Sequence, residues 1–214
     1  TRSRGLGDVY KRQVLKNNVE SVVKKQLNVG IDFVSDGEMS KISYATYIKD
    51  RIDGFSGESE RRAPADLDDF PEYKEKIAKS GGTPTYTRPC CTNELKVKDE
   101  TSLLQDINNF KNSLDKLNHR HAFMNSASPG VINVFMPNKF YSTEDEYLDK
   151  LSNIMAKEYE LITKSDIQVQ LDCPDLALAR HMNFKNLSED EFIKRAELQI
   201  ECLNSALSLS LIHI

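Results

Sequence analysis

Apolar residues recur at helical spacing from Val14 to Asn28, where Leu15, Val19, Val22, Val23 and Leu27 alternate with Lys16, Glu20, Lys24 and Lys25. That spacing predicts an amphipathic helix with one face on a core. Gly30 closes it, and Ile31 to Val34 reads as the strand that follows, running into Asp36, Gly37 and Glu38. From Ser40 to Gly82 the periodicity breaks down. Tyr44, Tyr47 and Ile48 predict a short helix, and Gly54, Gly57, Pro64, Pro71, Gly81 and Gly82 then punctuate a long polar insertion.

Regular patterning returns with the β-rich pieces Thr85–Thr87 and Leu95–Val97 around Arg88-Pro-Cys-Cys91, then a helix from Thr101 to Leu117. His121 to Asn125 and Gly130 to Phe135 both read as strands. Thr143 with Glu146, and Ser188 with Glu191, form two capping boxes. The first starts a helix striped by Tyr147, Leu151, Ile154, Met155, Leu161 and Ile162. The second starts a helix with Ile193, Ala196, Ile200 and Leu203 facing inward. Between them Ile167 to Leu171 is a strand ending at Asp172-Cys173-Pro174.

Helices alternating with short apolar strands point to βα units and a parallel sheet. No glycine fingerprint for a dinucleotide follows any strand, which disfavours a doubly wound nucleotide-binding fold. The expected class is α/β, a partial (β/α)8 TIM barrel of about four to five βα units; a complete barrel needs about 250 residues. Thr1 to Gln13 and Leu207 to Ile214 resemble translated adapter sequence and are set aside as non-native ends, the alternative being a real N-terminal arm and a real C-terminal strand. The domain expected is 14–206.

Composition narrows the function. With 214 residues, 39% hydrophobic and 29% charged, the chain has enough material for one core. A net charge of -4 with interspersed signs gives no footprint for nucleic acid or anionic lipid, so small molecules are the expected partners. No run of about 18 apolar residues predicts a membrane span, and no signal-peptide plan opens the chain, so a cytoplasmic protein is expected. The oligomeric state is open. Cys90, Cys91, Cys173 and Cys202 lack CxxC spacing, and reduced thiols are expected.

Glu38 and Asp172 end different strands, which in a parallel barrel face one mouth. Two carboxylates there can clamp an ammonium or act as acid and base; the alternative is helix capping or pairing with lysines. Asp36, before a glycine, reads as a turn former. Arg88 suits a carboxylate or phosphate, or a surface ion pair. Cys90 and Cys91 are adjacent in a strand and would face opposite ways, which argues against a metal site. Cys173 can line the pocket or be a buried thiol. His119, His121 and His181 lack companion ligands at zinc spacing and read as structural.

The strand into Asp36-Gly-Glu38, the segment Ser126-Ala-Ser-Pro-Gly-Val-Ile-Asn-Val-Phe135 and the run Val169-Gln-Leu-Asp-Cys-Pro174 occur in that order. In this the chain, from about Val14 to Ala206, resembles the C-terminal catalytic barrel of cobalamin-independent methionine synthases and their shorter paralogues. The resemblance implies a zinc-dependent methyl transfer from a reduced folate to a thiol such as homocysteine, zinc holding the thiol as the nucleophilic thiolate. It implies that Glu38 and Asp172 hold the amino-acid substrate through its ammonium. It places Arg88 and Cys90 near the folate, and Phe135 where an aromatic stacks on the pterin. The synthases read Asp-Glu-Pro where this chain reads Asp172-Cys173-Pro174, and often Trp where it has Phe135. The family's zinc ligands lie on later strands, so the expectation is an internal fragment, inactive alone, whose intact form binds zinc through residues beyond this chain. Alternatives are alkyl transfer to a thiol of the coenzyme M type, a metal-free decarboxylase resembling uroporphyrinogen decarboxylase, and a non-catalytic binding protein.

Overall fold

The computed structural model describes residues 2–59, 65–80 and 88–211. The Thr85–Thr87 piece lies outside them. Helix α1 runs over Arg2–Asn28, and α3 over Thr101–Lys116 packs beside it. Between and below them sits a core of Val19, Val23, Val34, Ile107, Phe110 and Met124. The expected helix from Val14 is therefore present, and it continues back through Arg2–Gln13. Helix α7, Glu189–Leu211, likewise runs past Ala206.

Three strands form one parallel sheet in the order β1 (Val34–Ser35), β4 (Ala122–Ala127), β5 (Gln168–Asp172). The register pairs Val34 with Ala122 and Ala127 with Asp172, so the C-terminal ends of the strands lie at one end of the sheet. Three parallel strands, rather than the four or five expected, are found among the described residues, and they do not close a barrel. The strand expected over Ile31 to Val34 is shorter and later. Ile31 and Phe33 are exposed, because β1 is an edge strand with little sheet to cover them. On its open side the Gln26 side chain stands in for a neighbouring strand. Its Nε2 donates to the Ser35 carbonyl (2.8 Å) and its Oε1 accepts from the Ser35 N–H (3.0 Å).

The remaining strands, β2 (Ile52–Ser56) and β3 (Cys90–Val97), are antiparallel and form a separate sheet. The stretch read as an irregular insertion thus holds a strand, a 3-10 helix at Thr46–Asp50 and helix α2 at Pro71–Ser80. The pattern of β2 was obscured by a bulge at Gly54, which lies at φ +107° with the Glu94 and Asn93 carbonyls 2.8 and 2.9 Å from where a Cβ would be.

Gly130 to Phe135 is not a strand. Ser128 caps helix α4, Pro129–Phe135, its Oγ accepting the Val131 N–H at 3.0 Å, and Pro129 takes the first helical position where its missing N–H costs nothing. Those two residues outweigh the β-branched run that follows. Helix α5, Glu144–Thr163, begins at Thr143 as expected, with Thr143 accepting the Glu146 N–H. It packs against α4 and α7 over a second core that includes Tyr147, Leu151, Met155, Tyr159 and Ile132. In α7 the buried line runs through Gln199, Cys202 and Ala206, while Ile193 and Ile200 are exposed. Small side chains at Cys202 and Ala206 let α7 approach α5, which turns the predicted face partly outward. No helix among the described residues is long and apolar enough to cross a membrane.

Candidate functional site

The turn after β1 carries Asp36, Glu38 and Lys41. Asp36 is buried, and its Oδ1 accepts the Glu38 N–H at 3.1 Å, the turn-forming role read from its place before glycine. Glu38 follows at φ +52°, in the left-handed region that costs a non-glycine residue about 1 kcal/mol. That backbone lifts its partly exposed carboxylate over the sheet end, where Oε1 lies 3.2 Å from Lys41 Nζ. Lys41 Nζ also donates to the Asn125 carbonyl on β4 at 2.5 Å and sits 4.5 Å over the Tyr47 ring.

Asp172 ends β5 at the same sheet end, with Asn125 Nδ2 3.5 Å from each of its oxygens. Burial, and then the neighbouring charge of Glu38, push its carboxyl above the ordinary Asp range, against the pull of Lys41 and Asn125. Glu38 and Asp172, far apart in sequence, are thus brought together as the strand-end argument expected.

Beneath this mouth is a buried network that the sequence reading missed. Arg51 binds Glu158 at 2.8 Å and Asp106 at 2.7 Å. Tyr47 and Ser126 donate to Glu158 Oε1 at 2.5 and 2.7 Å, and the Ala127 N–H donates back to the Tyr47 hydroxyl. Burial alone would raise the Glu158 carboxyl; Arg51, Lys41 and the two hydroxyl donors outweigh it and hold it below the usual range. A signal existed: Glu158 and Asp106 occupy core-facing positions in the apolar stripes of α5 and α3.

A cleft of about 590 Å3 is lined by Arg88, Asn133, Phe135, Lys139, Phe184 and Arg195 among others, and by none of the mouth residues. The Arg88 guanidinium lies 4.6 Å over the Phe135 ring, and Tyr44 meets the same ring edge-on at 5.5 Å. Arg88 and Phe135 are therefore together, with one face of the aromatic already covered by the cation. Cys90 is not part of this lining. It is buried in β3, its thiol directed to the Glu58 carbonyl at 3.5 Å, because both faces of β3 are covered there. Burial drives the Cys91 thiol up to about 11, which makes it a poor thiolate.

No family model and no curated protein sequence matches the chain. Among solved structures it is similar to a B12-independent methionine synthase from Shewanella sp. W3-18-1, determined in complex with selenomethionine, with a TM-score of 0.63 and 15% sequence identity. The match covers 90% of this chain and 48% of that one, so the chain spans about half the length of the synthase. The likeness is one of fold.

Within that fold the three histidines lie apart from the mouth and Cys173 borders it. His119 and His121 lie at the opposite end of β4, His119 Nε2 being 2.8 Å from the Asp32 carbonyl, a structural contact. His181 is exposed on α6, Leu178–Met182. Cys173 is half-buried beside Asp172, and burial raises its thiol. Among the described residues no group of three or more His, Cys, Asp or Glu side chains could hold a metal ion, so the zinc implied by the resemblance finds no ligand set in them.

Proposed function

We propose that the mouth formed by Glu38, Asp172, Asn125 and Lys41 binds the ammonium of a thiol-bearing amino acid such as homocysteine, as the substrate-holding part of a methyltransferase. The observation that carries this is the convergence of Glu38 and Asp172 at the C-terminal end of one parallel sheet. Two acids facing one internal ammonium leave a negative charge for the substrate's ammonium to meet, and charge-assisted hydrogen bonds to carboxylates are the strong kind. The fold likeness to a methionine synthase supports the choice of ligand class. The reacting methyl group comes, in this reading, from a reduced folate whose ring and carboxylates are received by the cleft of Phe135 and Arg88. Its departure from a pure stacking platform is that Arg88 must slide from the ring face or share it. The chain's own residues bind and orient the substrates.

The test is calorimetric titration of the chain with L-homocysteine and L-methionine, repeated on Glu38→Gln and Asp172→Asn after circular dichroism has confirmed their fold. Each substitution is expected to weaken binding by at least about tenfold, the loss of one hydrogen bond to a charged group. A wild-type chain that binds neither amino acid, or folded variants that bind as well as wild type, would overturn the reading.

A further inference from the structure

Lys41 stands three residues after Glu38, yet its side chain is only 4% exposed. A buried lysine needs partners that replace its hydration. Here they are a carboxylate oxygen of Glu38, the Asn125 carbonyl at the end of β4 and the face of Tyr47. The charged groups around it are Asp36 and Glu38 from its own turn, Asp172 from β5, Glu158 from α5, and Arg51, 4.8 Å over the Tyr47 ring; Arg12 from α1, Asp50, and Asp99 and Asp106 beside and on α3 line the same cavity as Lys41. Arg51 is occupied by Glu158 and Asp106. Lys41 is thus the counter-charge left for the two acids at the mouth.

We propose that Lys41 is the positioning residue of the mouth. Fixed by Asn125 and Tyr47, its ammonium holds Glu38 in its left-handed turn and balances one of the two carboxylates, leaving the site room for one further ammonium. This rests on the reading of the mouth as an amino-acid site and deepens it by naming the residue that sets its charge. Two carboxylates at one mouth repel, and without a cation beside them the first proton is taken up at a higher pH. An acid that has taken up a proton no longer offers a charge to a substrate ammonium. Lys41 touches the mouth from below and acts through Glu38 and Asp172.

The experiment follows the Asp172 carboxyl carbon by NMR as pH is varied, in wild type, Lys41→Met and Lys41→Arg, without ligand. Removal of the charge is expected to move the Asp172 midpoint upward by about one pH unit or more, and Lys41→Arg to keep it near wild type. At an acidic pH midway between the two midpoints, where Asp172 is mostly ionised in wild type and mostly protonated in Lys41→Met, L-methionine affinity is expected to fall about threefold in Lys41→Met and to recover in Lys41→Arg. A merely structural lysine would not move the titration. Lys41→Gln carries the same comparison if circular dichroism shows Lys41→Met unfolded. An unmoved Asp172 midpoint in the folded variant, or Lys41→Arg behaving as Lys41→Met does, overturns the proposal for Lys41. A wild-type chain that binds no methionine overturns the amino-acid reading instead, and the titration then decides Lys41 separately.

Discussion

Arg51 and Glu158 form an ion pair of 2.8 Å under the mouth, the arginine joining a loop to the middle of α5. Both side chains are nearly inaccessible, so Arg51→Met leaves two acids, Glu158 and Asp106, without their cation, and it is expected to lower the unfolding free energy by about 3–5 kcal/mol. Glu158→Gln leaves Arg51 paired with Asp106 and is expected to cost less. Urea denaturation of the two variants measures it.

The same acid sets part of the acid limit of the fold. Glu158 is held below its ordinary range, so its contribution is complete above the unfolded carboxylate value and is lost as pH falls through the lowered folded one. Wild type is therefore expected to lose more stability on acidification through and below the ordinary glutamate range than Glu158→Gln does. Equal slopes in thermal melts across that interval would contradict this.

Gly130 and Asp175 are coupled by space. A Cβ on Gly130 would collide with Asp175 Oδ2, while Ser128 Oγ donates to the other carboxylate oxygen at 2.9 Å. Gly130→Ala is expected to cost about 1–3 kcal/mol by overpacking. In the Asp175→Ala background the same change should cost much less, and a double-mutant cycle by urea denaturation reads the difference.

Asp175 also predicts a slope of the opposite sign to that of Glu158. Burial raises its carboxyl against the Ser128 hydrogen bond, so the folded state holds the proton more tightly than the unfolded one. Its contribution is most favourable below the ordinary Asp range and declines as pH rises through the raised value. Asp175→Asn should remove that decline between mildly acidic and neutral pH, as judged by melting temperature.

Thr143 and Ser188 each accept the N–H of the glutamate three residues on. Thr143→Ala and Ser188→Ala are expected to cost about 1 kcal/mol apiece. Urea midpoints give the values.

These caps were legible because capping is decided within four residues. So were the helices over Thr101–Lys116 and Glu144–Thr163, whose apolar stripes are long enough to define a period. Gly130 to Phe135 was misread although Ser128 and Pro129 were in view, because valines, isoleucine and phenylalanine weigh towards strand in any short window. β2 escaped because its bulge at Gly54 breaks alternation. Glu38 and Asp172 were legible as a pair only through the assumption of parallel strands. Arg51, Asp106 and Glu158 were not, since their pairing depends on how a loop, α3 and α5 meet, and no local spacing encodes that. The isolated acid at position 158 within an apolar stripe was the trace such a network leaves in a sequence.

The Ser35 peptide spends its outward donor and acceptor on one amide from α1. A bare strand edge is a template on which another extended chain can grow. At Ser35 that template is already filled by a side chain of the same molecule. Helix α1 therefore does more than cover one core: through Gln26 it also occupies the outward hydrogen-bonding groups of β1 at Ser35.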